Sequence, residues 1–198
     1  MICQSFPPIY TADARVLIVG SMPSVKSLAD QQYYAHPRNA FWPILFDIFS
    51  HTGDNDYETK KRLIRENHLA LWDAARECER EGSLDSDMRD IVYNDFAALF
   101  EQCPKIHTVL CNGGTAHALF LKSGYAGDRR VIRLPSTSPA YTLAYDKKLA
   151  AWREAVGGTL GLPPQTPPEG FLSPRSTLVG QPGSETPLGS HSLPGQFG

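Results

Sequence analysis

Short apolar runs separated by helix-like segments set the pattern of the first 158 residues. Residues 16–19 form a continuous apolar run that ends in Gly20, as expected of a strand buried on both faces. Similar runs occupy residues 69–72, 108–111 and 131–134. Strands of this kind in alternation with helices predict an α/β protein with a four-stranded, mainly parallel sheet.

Helices are predicted between and after these strands, near residues 40–49, 56–66, 94–102, 115–122 and 142–156. Ser24, Asp56 and Asn94 precede helical segments, and their side chains can accept hydrogen bonds from free amides of a first turn. We therefore expect these three residues to act as N-caps.

The composition changes after Gly158. Residues 159–198 contain eight of the 16 prolines and seven of the 16 glycines, but only three charged residues. Such a segment has too few large apolar groups to offset the entropy of ordering it. We expect one folded domain over residues 1–158 and a disordered tail rich in Pro, Gly and Ser over residues 159–198.

Charge and composition restrict the possible functions. The formal net charge is −2, so any contact with nucleic acid has to be local. The basic residues at positions 129, 130, 133, 147 and 148 form either that contact or a solvated face.

No run approaches the roughly 20 apolar residues of a membrane span, and residues 1–10 lack the features of a secretory signal. We expect a cytoplasmic protein. The four cysteines are irregularly spaced, which indicates neither disulfides nor a metal cage.

Four loops follow the four predicted strands, and they begin at Gly20, Asp73, Asn112 and Pro135. In open α/β sheets the ligand crevice lies outside the carboxyl ends of the strands. The first loop is Gly-Ser-Met-Pro-Ser and the last is Pro-Ser-Thr-Ser-Pro-Ala. Two prolines stiffen the last loop, while its hydroxyls and free amides suit the binding of a phosphate or entry into a groove.

The densest polar and aromatic cluster is Tyr-Tyr-Ala-His-Pro-Arg-Asn-Ala-Phe-Trp, residues 33–42. Asn39 can cap the helix that begins near Ala40, and Phe41 and Trp42 can belong to the core. Two adjacent tyrosines in a loop are harder to place in a core together. One of the two rings is expected to be free for stacking.

The chain resembles the uracil-DNA glycosylase superfamily, and within it the hypoxanthine-DNA glycosylase (DNA-deoxyinosine glycosylase) family. The resemblance lies in the order of four features: the first strand, the Gly-x-x-Pro loop, His-Pro-x-Asn-x-Phe-Trp and the Pro/Ser-rich loop. The resemblance spans about residues 10–156. It implies a three-layer α/β/α fold and a monofunctional DNA glycosylase of base excision repair that hydrolyses the N-glycosidic bond of a deaminated base, hypoxanthine.

The resemblance also implies roles for single residues. In the superfamily an Asp or Asn before the first-loop proline commonly handles the attacking water, but Met22 has that place here. Asn39 matches the catalytic asparagine of the hypoxanthine family, and Tyr34 matches an aromatic that stacks on the flipped base. Asp73 has the place of an asparagine that recognises uracil in mismatch-specific relatives.

The remaining implied contacts fall into two groups. Further residues expected to bind substrate are Gly20, Ser21, Met22, Phe41 and Asn112, and either Asp73 or Asn112 contacts the base. The residues expected to bind DNA are Ser24, Pro135, Ser136, Ser138 and Pro139.

The expected partner is DNA that contains a deaminated base, and the expected enzyme is a monomer that needs no metal or cofactor. A uracil- or mismatch-specific DNA glycosylase is an alternative, since it differs only in contacts to the base edge. A non-catalytic protein that binds damaged DNA is an alternative of another class, because Met22 can neither orient nor deprotonate water. An α/β nucleotide-binding or hydrolytic enzyme unrelated to DNA would leave the ordered motifs unexplained.

Overall fold

The structure is a computed structural model that describes residues 1–163. Of the tail predicted for residues 159–198, residues 164–198 lie outside the described part. The last helix continues to Leu160, two residues beyond the boundary predicted at Gly158. The prediction of a disordered tail therefore falls mainly on residues that the structure does not describe.

The described residues contain seven strands and six α-helices. The strands are β1 (Ile2–Gln4), β2 (Val16–Gly20), β3 (Leu69–Asp73), β4 (Ala75–Glu79), β5 (Arg89–Tyr93), β6 (Thr108–Asn112) and β7 (Arg130–Leu134). The helices are α1 (Val25–Asp30), α2 (Phe41–Ile48), α3 (Tyr57–Glu66), α4 (Phe96–Gln102), α5 (Gly114–Lys122) and α6 (Tyr145–Leu160).

The main sheet has the order β3-β2-β6-β7, and all three strand pairs are parallel. Its four strands are the four apolar runs of the sequence. On one face Val16 and Ile18 join the core cluster that holds α2, α3 and α6, and on the other Leu17 and Val19 join the cluster that holds α4 and α5. The predicted three-layer α/β/α fold is thus confirmed.

A second sheet, which the apolar pattern did not predict, has the antiparallel order β1-β4-β5. A loop was predicted to begin at Asp73, but the residues that follow, up to Glu79, lie mostly in β4. Only Ala75 and Cys78 of β4 are buried, so the strand is too polar to stand out as an apolar run. β4 follows β3 after the single residue Ala74.

The N-caps expected at Ser24, Asp56 and Asn94 differ from prediction at one position. Ser24 accepts a hydrogen bond from the amide of Ser27, and Asp56 accepts one from Thr59, as predicted. Asn94 does not cap α4, because Asp95 has that role. The Asn94 side chain is buried and donates to the backbone carbonyls of Asp73 and Ala75. Because Asp73 ends β3 and Ala75 begins β4, these bonds connect the two sheets.

Within residues 1–163 no helix is long and apolar enough to cross a bilayer. The same residues contain no cluster of three or more His, Cys, Asp or Glu side chains that could hold a metal ion. Cys3, Cys78, Cys103 and Cys111 are all buried and unpaired.

Candidate active site

A cavity of about 300 Å³ opens at the carboxyl ends of the main sheet. This volume lies at the lower end of the range for sites that bind small ligands. The cavity brings together four segments that are far apart in the sequence: the loop after β2, the loop before α2, the tip of the β4–β5 hairpin and the loop after β7. Its walls include the predicted residues Gly20, Ser21, Met22, Ser24, Tyr34, Asn39, Asp73, Asn112, Ser136 and Ser138.

The floor of this cavity, defined here as Gly20, Tyr34 and Asp73, depends on strand register. Gly20 and Asp73 are paired residues at the ends of β2 and β3. A Cβ atom at Gly20 would overlap Oδ1 of Asp73 and lie 2.9 Å from the Tyr34 hydroxyl oxygen. Only glycine at this position lets the carboxyl and the phenol approach the strand end so closely.

The Asp73 carboxyl is desolvated. The residue is 3% exposed, and its Oδ2 atom is buried without a hydrogen-bond partner in the described residues. The pKa of Asp73 is raised to about 8, first by burial and then by the Asp85 carboxylate, while the Arg80 guanidinium partly opposes the rise. These surroundings favour the uncharged carboxylic acid at neutral pH.

Tyr34 has a strained backbone and a buried hydroxyl. Its φ of 53° lies in the left-handed region, which is costly for an aromatic residue. The hydroxyl is buried without a partner at full hydrogen-bond geometry in the described residues; burial and then the Asp73 carboxyl raise its pKa above the ordinary value, and the nearby Asn112 side chain partly opposes the rise. Phe41 stacks on the Tyr34 ring with the centroids 3.9 Å apart.

Phe41 is not itself part of the cavity wall. It is completely buried in the core, which disagrees with its prediction as a residue that contacts substrate. The reason is its position as the first residue of α2, whose apolar face packs on the sheet. Tyr33 is also in the core, where its hydroxyl donates to the carbonyl of Phe6. Of the two adjacent tyrosines, only Tyr34 belongs to the floor.

Asn39 lies just before α2 and lines the cavity. Its Oδ1 atom accepts a hydrogen bond of 3.0 Å from the amide of Phe41, but the N-cap residue of α2 is Ala40, so the predicted N-cap role of Asn39 is wrong. The residue is half-buried, and an amide oxygen has a second lone pair. The bond to Phe41 therefore leaves Oδ1 able to accept a hydrogen bond from a water molecule in the cavity.

Asn112 is held by Thr137, a residue that the sequence did not single out. The Asn112 side chain donates to Oγ1 of Thr137 at 2.8 Å and accepts from the Thr137 amide at 2.9 Å. Thr137 is 1% exposed, and its carbonyl accepts from the amide of Ala40. Gly113, with φ of 94°, allows the close approach of Ser136. These bonds tie the loop after β7 to β6 and to the start of α2.

The rim of the cavity, defined here as residues 136–141, is clamped from α6. The buried Lys148 donates through Nζ to the carbonyls of Ser138 (3.2 Å) and Tyr141 (2.7 Å). Pro135 and Pro139 do not line the cavity; the carbonyl of Pro135 accepts from Trp152, and Pro139 is exposed. Tyr141, a wall residue that the sequence analysis missed, is 48% exposed.

The tip of the β4–β5 hairpin supplies a further wall that was not predicted, consisting of residues 83–85. Ser21 donates to the Asp85 carboxylate at 2.8 Å, and the side chain of Arg80, which is fully buried, donates to the carbonyl of Pro23. The sequence shows these residues as a polar segment. Their contacts with the first loop connect positions about 60 residues apart, which local patterns do not reveal.

Met22 and Ser24 have mainly structural surroundings. Met22 is 6% exposed and packs in a small apolar cluster with Cys3, Ala75 and Cys78. Its thioether has no means of activating water, as the sequence indicated. The Ser24 hydroxyl oxygen accepts a hydrogen bond from the amide of Ser27 and so caps α1.

The basic residues considered from the sequence do not form one patch. Arg129 lies over the ring of Phe100 at 3.5 Å and donates to the carbonyl of Ile106, and Arg130 begins β7 at the end of the sheet opposite the cavity. Arg133 lies beside Gly114 at the start of α5, closer to the cavity end of the sheet. Lys148 is buried as the clamp of the rim, so it is not a free surface charge.

Comparisons with known proteins agree with this geometry. The family model of the uracil DNA glycosylase superfamily matches residues 7–156. The chain is 36% identical over 160 residues to a hypoxanthine DNA glycosylase of Methanosarcina acetivorans, an alignment that covers 79% of this chain and 98% of the relative. It is 31% identical over 156 residues to a hypoxanthine DNA glycosylase of Methanosarcina barkeri, and that alignment covers 77% of this chain and 96% of the relative.

A solved structure gives the same result for the fold. The solution NMR structure of a candidate uracil DNA glycosylase from Methanosarcina acetivorans superimposes with a TM-score of 0.68 at 31% sequence identity. The match covers 79% of this chain and 99% of that one. Both the sequence and the fold similarity thus extend over nearly all of the described residues.

Proposed function

Since the chain belongs to the uracil DNA glycosylase superfamily and acts as a DNA glycosylase on a deaminated base, we propose that hypoxanthine is this base and that Asn39 positions the attacking water. The observation that carries the proposal is the cavity itself. It unites a desolvated floor for a base with a half-buried amide that retains a free acceptor site.

The reaction requires a flipped nucleotide, because the target bond of a base inside a duplex cannot be reached. Cleavage of the N-glycosidic bond develops positive charge on the sugar and negative charge on the leaving base. An uncharged amide is a weak base, so Asn39 contributes by orienting water rather than by removing its proton. Most of the rate enhancement then comes from positioning and from stabilisation of the separated charges.

We propose that the residues of the floor contact the flipped base. Both functional groups of the Asn112 side chain are bonded to Thr137, whereas the Asp73 carboxyl has an oxygen without a partner among the described residues. This difference favours Asp73 over Asn112 as the residue that accepts from the ring N–H of hypoxanthine. Tyr34 supplies the aromatic surface against which the base stacks.

We propose that the rim binds the DNA backbone. Ser136 and Ser138 line the mouth of the cavity on a loop that Lys148 and Thr137 hold in place. Hydroxyls and amides on a fixed loop suit the phosphates on either side of a flipped nucleotide. We also propose that the enzyme works as a monomer in the cytoplasm.

The direct test is the release of bases from oligonucleotides. Duplexes and single strands that contain one inosine, uracil, xanthine or mispaired thymine are incubated with the full chain, and abasic sites are detected by alkaline cleavage. We expect inosine to be cleaved with the highest kcat/KM. Uracil as the preferred substrate would favour the alternative glycosylase, and binding without abasic product from any substrate would favour a non-catalytic protein.

The role of Asn39 is tested by N39A, with a matched control for its hydrogen bond to the start of α2. N39A loses both the water-positioning group and the bond to the amide of Phe41, and we expect kcat to fall by at least about 100-fold. D56A removes the side-chain cap of α3, away from the cavity, and the loss of such a bond at a helix start costs about 1 kcal/mol of stability. Similar losses of thermal stability, with cleavage abolished only in N39A, would support the proposal. Near-normal cleavage by N39A would contradict it.

A further inference from the structure

Asp73 is the one place in the described residues where a carboxyl oxygen is buried in a cavity wall without a hydrogen-bond partner. Buried polar groups are nearly always paired, so a group left without a partner indicates one supplied by a ligand or a departure from the usual charge state. The neighbouring Tyr34 hydroxyl is likewise buried and unpaired in the described part of the chain. Both groups lie beside Gly20, the residue whose missing side chain leaves them room.

The charged and titratable groups around Asp73 come from three elements besides its own. The β4–β5 hairpin supplies Asp85 and Arg80, the loop before α2 supplies Tyr33 and Tyr34, and α3 supplies Tyr57. Arg80 directs one bond to the carbonyl of Pro23, and its Nη1 atom lies 3.9 Å from Asp85. The single cation is thus shared with a second carboxylate, and desolvation keeps the pKa of Asp73 high.

The protonation state determines what Asp73 offers to a base. An ionised carboxylate presents only acceptors, whereas a carboxylic acid presents one donor and one acceptor side by side. Deamination leaves hypoxanthine, uracil and xanthine with a common edge, a ring N–H beside a carbonyl oxygen. A carboxylate would repel that carbonyl oxygen, while a carboxylic acid matches both groups of the edge.

We propose that Asp73 recognises the flipped base as a neutral carboxylic acid, with its hydroxyl donating to the exocyclic oxygen and its carbonyl accepting from the adjacent ring N–H. The inference rests on the proposed function and deepens it by naming the class of base edge. The proton remains on Asp73 throughout. Its hydrogen bond strengthens as negative charge develops on the leaving base, so it contributes to the rate as well as to binding.

The test compares D73N with D73A in the full chain, on the inosine duplex, from about pH 6 to about pH 10. An asparagine amide offers the same pair of donor and acceptor without a titrating proton. We expect D73N to keep kcat/KM within about tenfold of wild type, and D73A to lose about 100- to 1,000-fold, as for other deleted transition-state donors.

The pH profile separates recognition from a structural role. As the pH rises through about 8, wild-type kcat/KM should fall toward a tenfold loss per unit, because Asp73 loses its proton. D73N should lack this decline. The ring N–H of the substrate ionises equally in both reactions, so the comparison removes its effect. A D73N profile that matches wild type, or D73N as inactive as D73A, would overturn the inference.

A second readout does not depend on activity. The infrared difference spectrum of wild type minus D73N at neutral pH should contain the carbonyl band of a protonated carboxylic acid, and carboxylate bands in its place would overturn the inference. Failure of the proposed function looks different, because wild type itself would then release no base. Release by wild type together with a failed D73N comparison would reject only the role of Asp73.

Discussion

The floor and the rim of the cavity satisfy their polar groups in opposite ways. At the rim, Lys148 and Thr137 bond the loop after β7 to α6, β6 and the start of α2. At the floor, the Tyr34 hydroxyl and an Asp73 oxygen are buried without partners in the described residues. The polar groups of the rim are paired within the protein, whereas the floor keeps the two groups that our proposal assigns to recognition of the base.

The largest effect should come from filling the floor. G20A places a Cβ atom against Asp73 and Tyr34, and both side chains have to move. Since a displacement of about 1 Å can cost about 100-fold in rate, we expect kcat/KM to fall at least that far. G158A is the matched control, because a Cβ there meets open space in α6 and should stabilise the protein by about 0.5–1 kcal/mol. Full activity in G20A would show that the floor does not contact the base.

A smaller effect is expected when the clamp of the rim is removed. K148M keeps most of the buried stem of Lys148 but loses the bonds to the carbonyls of Ser138 and Tyr141. We expect KM for duplex DNA to rise about tenfold with little change in kcat, which corresponds to the net contribution of one or two hydrogen bonds. K147M removes the same charge from an exposed neighbour and should change KM far less. Equal effects of both variants would indicate loss of charge rather than loss of the clamp.

The smallest effect concerns stability and applies only to the floor. The pKa of Asp73 is raised in the folded protein, so the unfolded chain releases this proton first as the pH rises from about 4, and stability is lost up to about pH 8. D73N has no such proton. We expect the Tm of D73N to exceed that of wild type by an amount that grows across this window and then stays constant. A difference independent of pH would contradict the neutral acid.

The sequence predicted the main sheet and the loops that line the cavity at its carboxyl ends because both depend on local signals. Apolar runs mark the strands of a buried parallel sheet, and their ends identified Gly20, Asp73 and Asn112. Thr137 and Asp85 were missed, since they contact residues 25 to 64 positions away and carry no local mark. Phe41 was wrongly assigned to the cavity because an aromatic at a helix start can face either way, and packing on the sheet decided it.

Asn94 holds the junction where the main sheet passes into the antiparallel one. Its side chain binds the carbonyls on both sides of Ala74, and the amides of Ala74 and Ala75 are bonded to the loop after β2. Asp73 is therefore anchored independently of the hairpin tip that follows. Insertions or replacements at that tip that keep Asp85 and Arg80 in place can therefore reshape the mouth of the cavity without moving the backbone of Asp73.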